Sequence, residues 1–163
     1  MERRLILMRH ASTEAGGPDT SDHQRQLTEL GHRQAVEIAD RLTELGWTPG
    51  HVLSSDAARA RQTWEHMAPH IDPPPQVTFH GELYLAGIDA VADCLADLDD
   101  EICDLLIIGH NPGWQRALHD LSGDAEVMTE ATAGLLHTTA DSWPQIIDAN
   151  KMELVHILRP KTR

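Results

Sequence analysis

The stretch Leu5-Ile6-Leu7-Met8, followed directly by Arg9-His10, decides how the rest of this sequence is interpreted. A short, uninterrupted aliphatic run is typical of a strand that is buried on both faces of a parallel sheet. In open α/β sheets, ligands bind just beyond the carboxyl ends of the strands. Arg9 and His10 therefore occupy a position at which we expect functional residues.

Two later segments repeat this arrangement. Val52-Leu53 leads through Ser54-Ser55-Asp56 to Arg59, and Leu105-Leu106-Ile107-Ile108 leads through Gly109 to His110. Three apolar runs thus each deliver a cationic or imidazole side chain at or just beyond their ends. Because parallel strands end at the same edge of a sheet, the pattern predicts one anion-binding site that contains histidine.

The alternation of strand-like and helix-like segments predicts an α/β fold, with three α/β/α layers around a mostly parallel central sheet. Thr28 is expected to cap a helix that ends at Gly46, and Asp56 to cap a second helix. Strands are expected near residues 5–8, 52–53, 77–79, 104–108, 133–139 and 152–158. Helices are expected over about 28–45, 57–68, 88–98 and 112–121, with a turn over 148–151.

The chain has 163 residues, with 13 basic and 26 acidic side chains and a net charge of −13. This length suits one domain that spans residues 1–163. The negative charge argues against binding to nucleic acid or to an anionic membrane surface. It does not argue against a phosphorylated protein or a small phosphorylated substrate, because a local arginine cluster can override the overall charge.

Cys94 and Cys103 do not have the spacing of a metal or redox motif, and we find no signal peptide, so a cytoplasmic protein is expected. His66 and His70 are four residues apart, but Pro69 lies between them and the glutamate of a zinc-peptidase motif is missing. We therefore predict no metal site and no cofactor.

If the site binds phosphate, arginine is the natural ligand, because its planar guanidinium matches two phosphate oxygens at once. Arg9 and Arg59 are the first candidates, and Arg25, in the polar loop after His10, is a third. Histidine can act as a covalent nucleophile in group transfer. His10 is the candidate nucleophile, and His110 is expected to donate hydrogen bonds to the phosphoryl oxygens.

A carboxyl group near such a site could protonate a leaving group or activate water. Glu82, in the segment Gly81-Glu82-Leu83-Tyr84, is the preferred candidate for this role. Asp22 and Glu14 are weaker candidates in the first loop. Asn111, which follows His110, is a further candidate for contact with phosphate.

Together these segments resemble the histidine phosphatase superfamily, which includes phosphoglycerate mutases and acid phosphatases. The resemblance rests on five segments in the family's order, namely Leu7-Met8-Arg9-His10-Ala11, residues 27–35 (LTELGHRQA), residues 54–63 (SSDAARARQT), Gly81-Glu82-Leu83-Tyr84 and Gly109-His110-Asn111-Pro112. The short chain and Arg25-Gln26-Leu27-Thr28 are similar to the small, SixA-like phosphohistidine phosphatases.

The resemblance implies a phosphoglycerate mutase-like fold, with His10 as the phosphorylated nucleophile and Arg9, Arg59 and His110 as the phosphate pocket. Arg25 matches an arginine of the small subgroup. Ala11 replaces the usual glycine and Asp56 the usual proline, and the match after residue 122 is loose. None of these departures removes a catalytic residue, although the substrate stays open.

Three classes of function follow from the sequence. The first is a metal-independent phosphatase acting on phosphohistidine in a phosphorylated protein, or more generally on small phosphomonoesters. The second is a phosphoglycerate mutase-like transferase, which the short loops disfavour because a mutase must shield its intermediate from water. The third is a non-catalytic scaffold that binds phosphorylated protein, which the complete set of Arg9, His10, Arg59 and His110 disfavours.

Overall fold

The computed structural model describes residues 1–148 and 151–162, and a six-stranded sheet lies at its centre. The strands are β1 (Glu2–Arg9), β2 (His51–Ser55), β3 (Gln76–His80), β4 (Asp104–Gly109), β5 (Ala133–Thr139) and β6 (Glu153–Leu158). Their order is β3-β2-β4-β1-β5-β6. Strands β1 to β4 run parallel, β5 is antiparallel to β1, and β6 is antiparallel to β5. The predicted mostly parallel sheet is confirmed.

Four α-helices cover the two faces of this sheet. They are α1 (Glu29–Glu44), α2 (Ala58–Met67), α3 (Ile88–Ala96) and α4 (Gly113–Ser122). Helices α1 and α2 share one buried apolar cluster, and α3 and α4 share a second cluster with Trp143. The predicted three-layer architecture is therefore confirmed. Among the described residues, no helix combines the length and apolar character needed to cross a lipid bilayer.

The central strands supply both clusters because successive side chains of a strand point to opposite faces. In β1, Ile6 and Met8 pack on the side of α1 and α2, whereas Leu5 and Leu7 pack on the side of α3 and α4. Strand β4 divides its aliphatic residues in the same way. This burial on both faces explains the uninterrupted apolar runs that led to the strand prediction.

The helix ends follow the sequence signals in one case and depart from them in another. The Thr28 hydroxyl accepts the amide N–H of Gly31 at 3.0 Å and caps α1, as expected. The expected cap at Asp56 is wrong, because the Ser55 hydroxyl accepts the Ala57 amide before α2 instead. The Asp56 carboxylate is 2.8 Å from the His23 ring. The turn expected over residues 148–151 includes residues 149 and 150, which lie outside the described residues.

The sheet register brings the predicted functional segments to one edge. Arg9 of β1 lies opposite Gly109 of β4, and Ser54 of β2 lies opposite Ile108 of β4. The residues that follow these strands therefore leave the sheet side by side. Gly109 allows a close contact here, since a Cβ at this position would lie 2.3 Å from the Trp114 ring.

Candidate active site

A cavity of about 500 Å³ opens at the carboxyl ends of β1, β2 and β4. Its wall contains the five cationic or imidazole side chains that the sequence analysis selected, Arg9, His10, Arg25, Arg59 and His110. It also contains Thr13, Asp22, Leu85, Asn111 and Glu130. The five cationic or imidazole side chains come from four separate segments of the sequence and meet in one pocket.

His10 is held in a fixed orientation directly after β1. Its side chain is buried, and its Nδ1 lies 2.8 Å from the backbone carbonyl of Ala11. Since a carbonyl only accepts hydrogen bonds, this contact assigns the ring proton to Nδ1. The Nε of Arg59 donates to His10 Nε2 at 3.3 Å. His10 Nε2 is therefore unprotonated, and its electron pair faces Arg59 in the cavity.

The electrostatic surroundings keep His10 neutral. Burial, followed by the positive charges of Arg59, Arg9 and Arg25, lowers the pKa of His10 from 6.5 to about 4. The Ala11 carbonyl opposes this effect but is outweighed. A neutral imidazole at pH 7 is the form required for nucleophilic attack.

His110 faces His10 across the cavity, with 5.2 Å between the ring centroids. Its Nε2 lies 2.8 Å from the Ser55 hydroxyl, which itself accepts the amide of Ala57. The Ser55 hydroxyl can donate its proton to Nε2, and in that tautomer the proton of the neutral His110 ring lies on Nδ1. That Nδ1 is buried and has no partner among the described residues. Burial, together with His10 and Arg59, lowers the pKa of His110 to about 3.

The three arginines of the cavity differ in how many of their N–H groups already have hydrogen-bond partners. Arg59 is nearly fully buried and donates to the backbone carbonyl and the carboxylate of Asp22, at 2.7 and 3.1 Å. Arg25 donates to the same carboxylate at 3.0 Å and to the Thr13 hydroxyl at 2.7 Å. Arg9 donates to the Met128 carbonyl, while its buried Nε has no partner among the described residues.

Asp22 is the anion that neutralises these arginines. Both of its carboxylate oxygens accept hydrogen bonds, from Arg25 on one and from Arg59 and the Tyr84 hydroxyl on the other. Tyr84, Arg25 and Arg59 hold the pKa of Asp22 well below its usual range. Asp22 is therefore ionised at neutral pH and cannot serve as a proton donor in this state. The sequence alone favoured Glu82 over Asp22 as the carboxyl group of the site.

Glu82 does not lie in the cavity, which corrects the expectation that it is the site's carboxylate. Its side chain is 74% exposed, and the ionisable group within 4.0 Å of it among the described residues is the His80 ring, at 3.9 Å. The 3₁₀ turn Gly81–Leu83 buries Leu83 in the core and leaves Glu82 facing outward. Glu14 is likewise exposed, and only its backbone carbonyl approaches the site, as an acceptor for Arg25.

Asn111 lines the cavity and also bonds to two neighbouring segments. Its Nδ2 donates to the Met128 carbonyl at 2.7 Å, and its Oδ1 accepts the Gln115 amide at 3.1 Å. These bonds attach the segment around Met128 to the start of α4. Asn111 therefore positions that segment, and its expected contact with phosphate stays a prediction.

Several site residues escaped the sequence analysis. Glu130, Thr13 and Leu85 line the cavity, Ser55 orients His110, and Tyr84 binds Asp22. Ser55 and Tyr84 lie inside segments that the sequence analysis quoted, so their position was a usable signal. Glu130 has no such signal, because it reaches the site only through the fold of the chain before β5.

Comparison with known proteins agrees with this geometry. The sequence profile of the histidine phosphatase superfamily (branch 1) matches residues 5–83, which include Arg9, His10 and Arg59. An uncharacterised chloroplastic protein of Arabidopsis thaliana is 33% identical over 154 residues, which cover 89% of this chain and 71% of that protein. The chain belongs to the histidine phosphatase superfamily.

Structures within the histidine phosphatase superfamily extend the likeness to the whole chain. A structure from Nakamurella multipartitia, provisionally assigned as the phosphohistidine phosphatase SixA, has a TM-score of 0.86 and 26% identity. The match covers 99% of this chain and 98% of that one. A shorter match links the chain to the serine/threonine-protein phosphatase PGAM5 of Xenopus tropicalis. It is 33% identical over 69 residues, which are 42% of this chain and 24% of that protein.

The lowered pKa of His10 is directly measurable in the free protein. We expect the His10 ring signals in an NMR titration to stay those of a neutral imidazole as the pH falls through 6.5, and to titrate near pH 4. Unfolded His10 takes up its proton at about 6.5, so stability falls as the pH drops from about 6.5 to 4. A titration midpoint at or above 6.5 in the absence of phosphate would contradict the described electrostatics.

Proposed function

We propose that this protein is a phosphohistidine phosphatase that hydrolyses phosphorylated protein histidine through a covalent phosphohistidine on His10. The observation that carries the proposal is the unprotonated Nε2 of the His10 ring, which is kept neutral and lies among three arginines. A neutral nucleophile inside a cationic pocket suits attack on a phosphoryl group, which carries negative charge. The proposed catalytic residues are His10, Arg9, Arg59 and His110, with Arg25 as a further phosphate ligand.

In the first step the phosphoryl oxygens take the place of the Asp22 carboxylate on Arg59 and Arg25. His10 Nε2 then bonds to phosphorus while the bond from phosphorus to the substrate nitrogen breaks. The buried donors Arg9 Nε–H and His110 Nδ1–H have no partner among the described residues. They are suited to the phosphoryl oxygens, on which charge is concentrated in the transition state.

In the second step a water molecule attacks phosphorus on the opposite side and the bond to His10 Nε2 breaks. The bonding electrons return to Nε2, and His10 becomes a neutral imidazole that keeps its proton on Nδ1. The water protons leave with the product as dihydrogen phosphate, so protons and charge balance. The Ala11 carbonyl holds the same ring orientation in both steps.

The states of Asp22 and Glu82 favour an imidazole leaving group, because neither carboxyl group is placed to protonate an alkoxide. An alkoxide leaving group needs a positioned proton donor, which typically contributes 10²- to 10⁴-fold in rate. Asp22 is held ionised and Glu82 faces solvent. Imidazole departs as a neutral molecule when its ring already carries a proton. The Leu85 side chain at the cavity wall is 58% exposed, which leaves the mouth accessible to a side chain that projects from a protein.

Hydrolysis of phosphomonoesters is the second candidate, because the match to PGAM5 connects this chain to a protein named as a serine/threonine phosphatase. The two candidates use the same phosphate pocket and differ in the leaving group.

The proposed cytoplasmic location rests on the free thiols of Cys94 and Cys103, which suit a reducing compartment.

A substrate panel distinguishes these candidates. We expect kcat/KM for a phosphohistidine protein to exceed that for a phosphoserine peptide by on the order of 10²-fold, the value of a missing general acid. Phosphoglycerate is included to test mutase activity and is expected to show no isomerisation. Comparable rates on phosphohistidine and phosphoserine would favour a general phosphomonoesterase instead.

The same assays test the proposed metal independence. Among the described residues, no group of three or more His, Cys, Asp or Glu is arranged to hold a metal ion. The charge of Arg9, Arg25 and Arg59 serves the phosphate directly in the proposed mechanism. We therefore expect full activity after dialysis against EDTA, and a loss that added Mg²⁺ or Zn²⁺ restores would contradict this part of the proposal.

A further inference from the structure

Glu130 is a cavity residue with no role in the mechanism above. It lies in a tight turn in which the Thr132 amide donates to the Thr129 carbonyl at 3.0 Å. The next residue, Ala131, is buried and has a φ of +61°, an unfavourable backbone conformation for a residue with a side chain. Such conformations persist only where the surrounding contacts enforce them.

The contacts that enforce this turn come from the nucleophile's own segment. The Ala131 amide donates to the His10 carbonyl at 2.9 Å, and the Arg9 amide donates to the Thr132 carbonyl at 3.0 Å. The backbone that follows Glu130 is thus bonded directly to the Arg9-His10 pair. The backbone of Glu130 is therefore held in a fixed place relative to His10.

One oxygen of this carboxylate is engaged and the other is available. Oε2 accepts the amide of Thr13 at 3.1 Å, and no donor among the described residues reaches Oε1. Burial lowers the pKa of Arg9 and the nearby charge of Glu130 opposes this effect, yet no ion pair within 4.0 Å joins the two side chains among the described residues. Asp22, the other cavity carboxylate, has hydrogen bonds on both oxygens. Glu130 therefore offers an anionic acceptor to a molecule in the cavity.

We propose that Glu130 binds the ring N–H of the leaving imidazole and so selects protonated phosphohistidine over phosphate esters. The inference rests on the proposed function. A carboxylate repels the phosphoryl group, so its place in a phosphate cavity is explained by a substrate that also carries a positive charge. Phosphohistidine protonated on its second ring nitrogen is such a substrate, whereas phosphoserine and aryl phosphates have no N–H beside the phosphorus.

The transfer step balances with this assignment. The substrate ring carries phosphorus on one nitrogen and a proton on the other. As the bond from phosphorus to nitrogen breaks, the electron pair stays on that nitrogen and the positive charge of the ring is lost. Neutral imidazole leaves with its original proton still on the nitrogen that faces Glu130, and His10 Nε2 carries the phosphoryl group. Glu130 accepts a hydrogen bond throughout and does not itself take up the proton.

The test compares Glu130→Gln with the wild type on a phosphohistidine protein and on p-nitrophenyl phosphate. The glutamine amide oxygen can still accept the Thr13 amide, so the substitution removes the charge while keeping that contact. We expect kcat/KM for phosphohistidine to fall by about 10- to 100-fold, as for loss of a hydrogen bond to a charged group. The value for p-nitrophenyl phosphate should be unchanged or higher. Glu65→Gln, an exposed helix position, is the matched control.

The outcomes separate this inference from the proposed function. A wild type that hydrolyses p-nitrophenyl phosphate but not phosphohistidine contradicts the proposed function and this role together. A wild-type preference for phosphohistidine that persists in Glu130→Gln contradicts the role of Glu130 alone. Equal losses on both substrates in Glu130→Gln would indicate a structural role only and would also overturn the inference. Glu130→Ala, which also loses the Thr13 contact, is expected to lower both activities.

Discussion

Replacement of His10 with alanine is expected to reduce phosphatase turnover by on the order of 10⁴-fold or more, because covalent catalysis without a nucleophile retains only binding and electrostatic help. The buried ring contributes one hydrogen bond to the Ala11 carbonyl and one contact to Arg59. We expect the fold to tolerate the loss of both. The measurement is kcat/KM on phosphohistidine and on p-nitrophenyl phosphate, with thermal unfolding recorded for each protein.

The control for this substitution is His119→Ala, which removes an exposed imidazole from α4. It is expected to leave kcat/KM unchanged. Retention of more than a few per cent of activity by a folded His10→Ala protein would show that another group attacks phosphorus.

Arg59→Ala is expected to lower kcat/KM by roughly 10²- to 10³-fold, the usual effect of losing a donor to the developing charge. Arg59 is nearly fully buried, donates to His10 Nε2 and holds Asp22 through two hydrogen bonds. Its removal weakens phosphate binding and also removes a charge that keeps His10 neutral. We therefore expect a higher KM, a lower kcat and a higher His10 pKa in the same variant.

Arg59→Lys separates charge from geometry. Lysine keeps the positive charge but lacks the planar fork, so it is expected to restore little of the lost activity. Arg33→Ala, at an exposed position of α1, is the matched control and is expected to behave as the wild type. Near-complete activity in Arg59→Lys would mean that the two-point contact with phosphate is unimportant.

The sequence predicted the architecture because its strong signals are local. The apolar runs of β1 and β4 are buried on both faces, and Thr28 caps α1 through its own hydroxyl. The end of a strand also determines where the next residue lies. For this reason Arg9, His10 and His110 could be placed in one site before the structure was known.

The carboxylates could not be predicted, because their positions depend on contacts between distant segments. Glu82 faces solvent because the neighbouring Leu83 is drawn into the core. The Asp22 carboxylate lies in the cavity because it accepts hydrogen bonds from Arg59, Arg25 and Tyr84, which belong to three separate segments. The position of Glu130 depends on a turn in which Ala131 has a positive φ. An alanine in the sequence does not predict this conformation.

The central claim, a phosphoryl group carried on His10, is tested most directly by rapid quench of the wild type during turnover of a ³²P-labelled phosphohistidine protein. The account predicts label on the enzyme that is stable to alkali, lost in acid and located on His10 by peptide mapping, with none on His10→Ala. Label on a serine or on a histidine other than His10, or turnover with no labelled enzyme at any quench time, would contradict it.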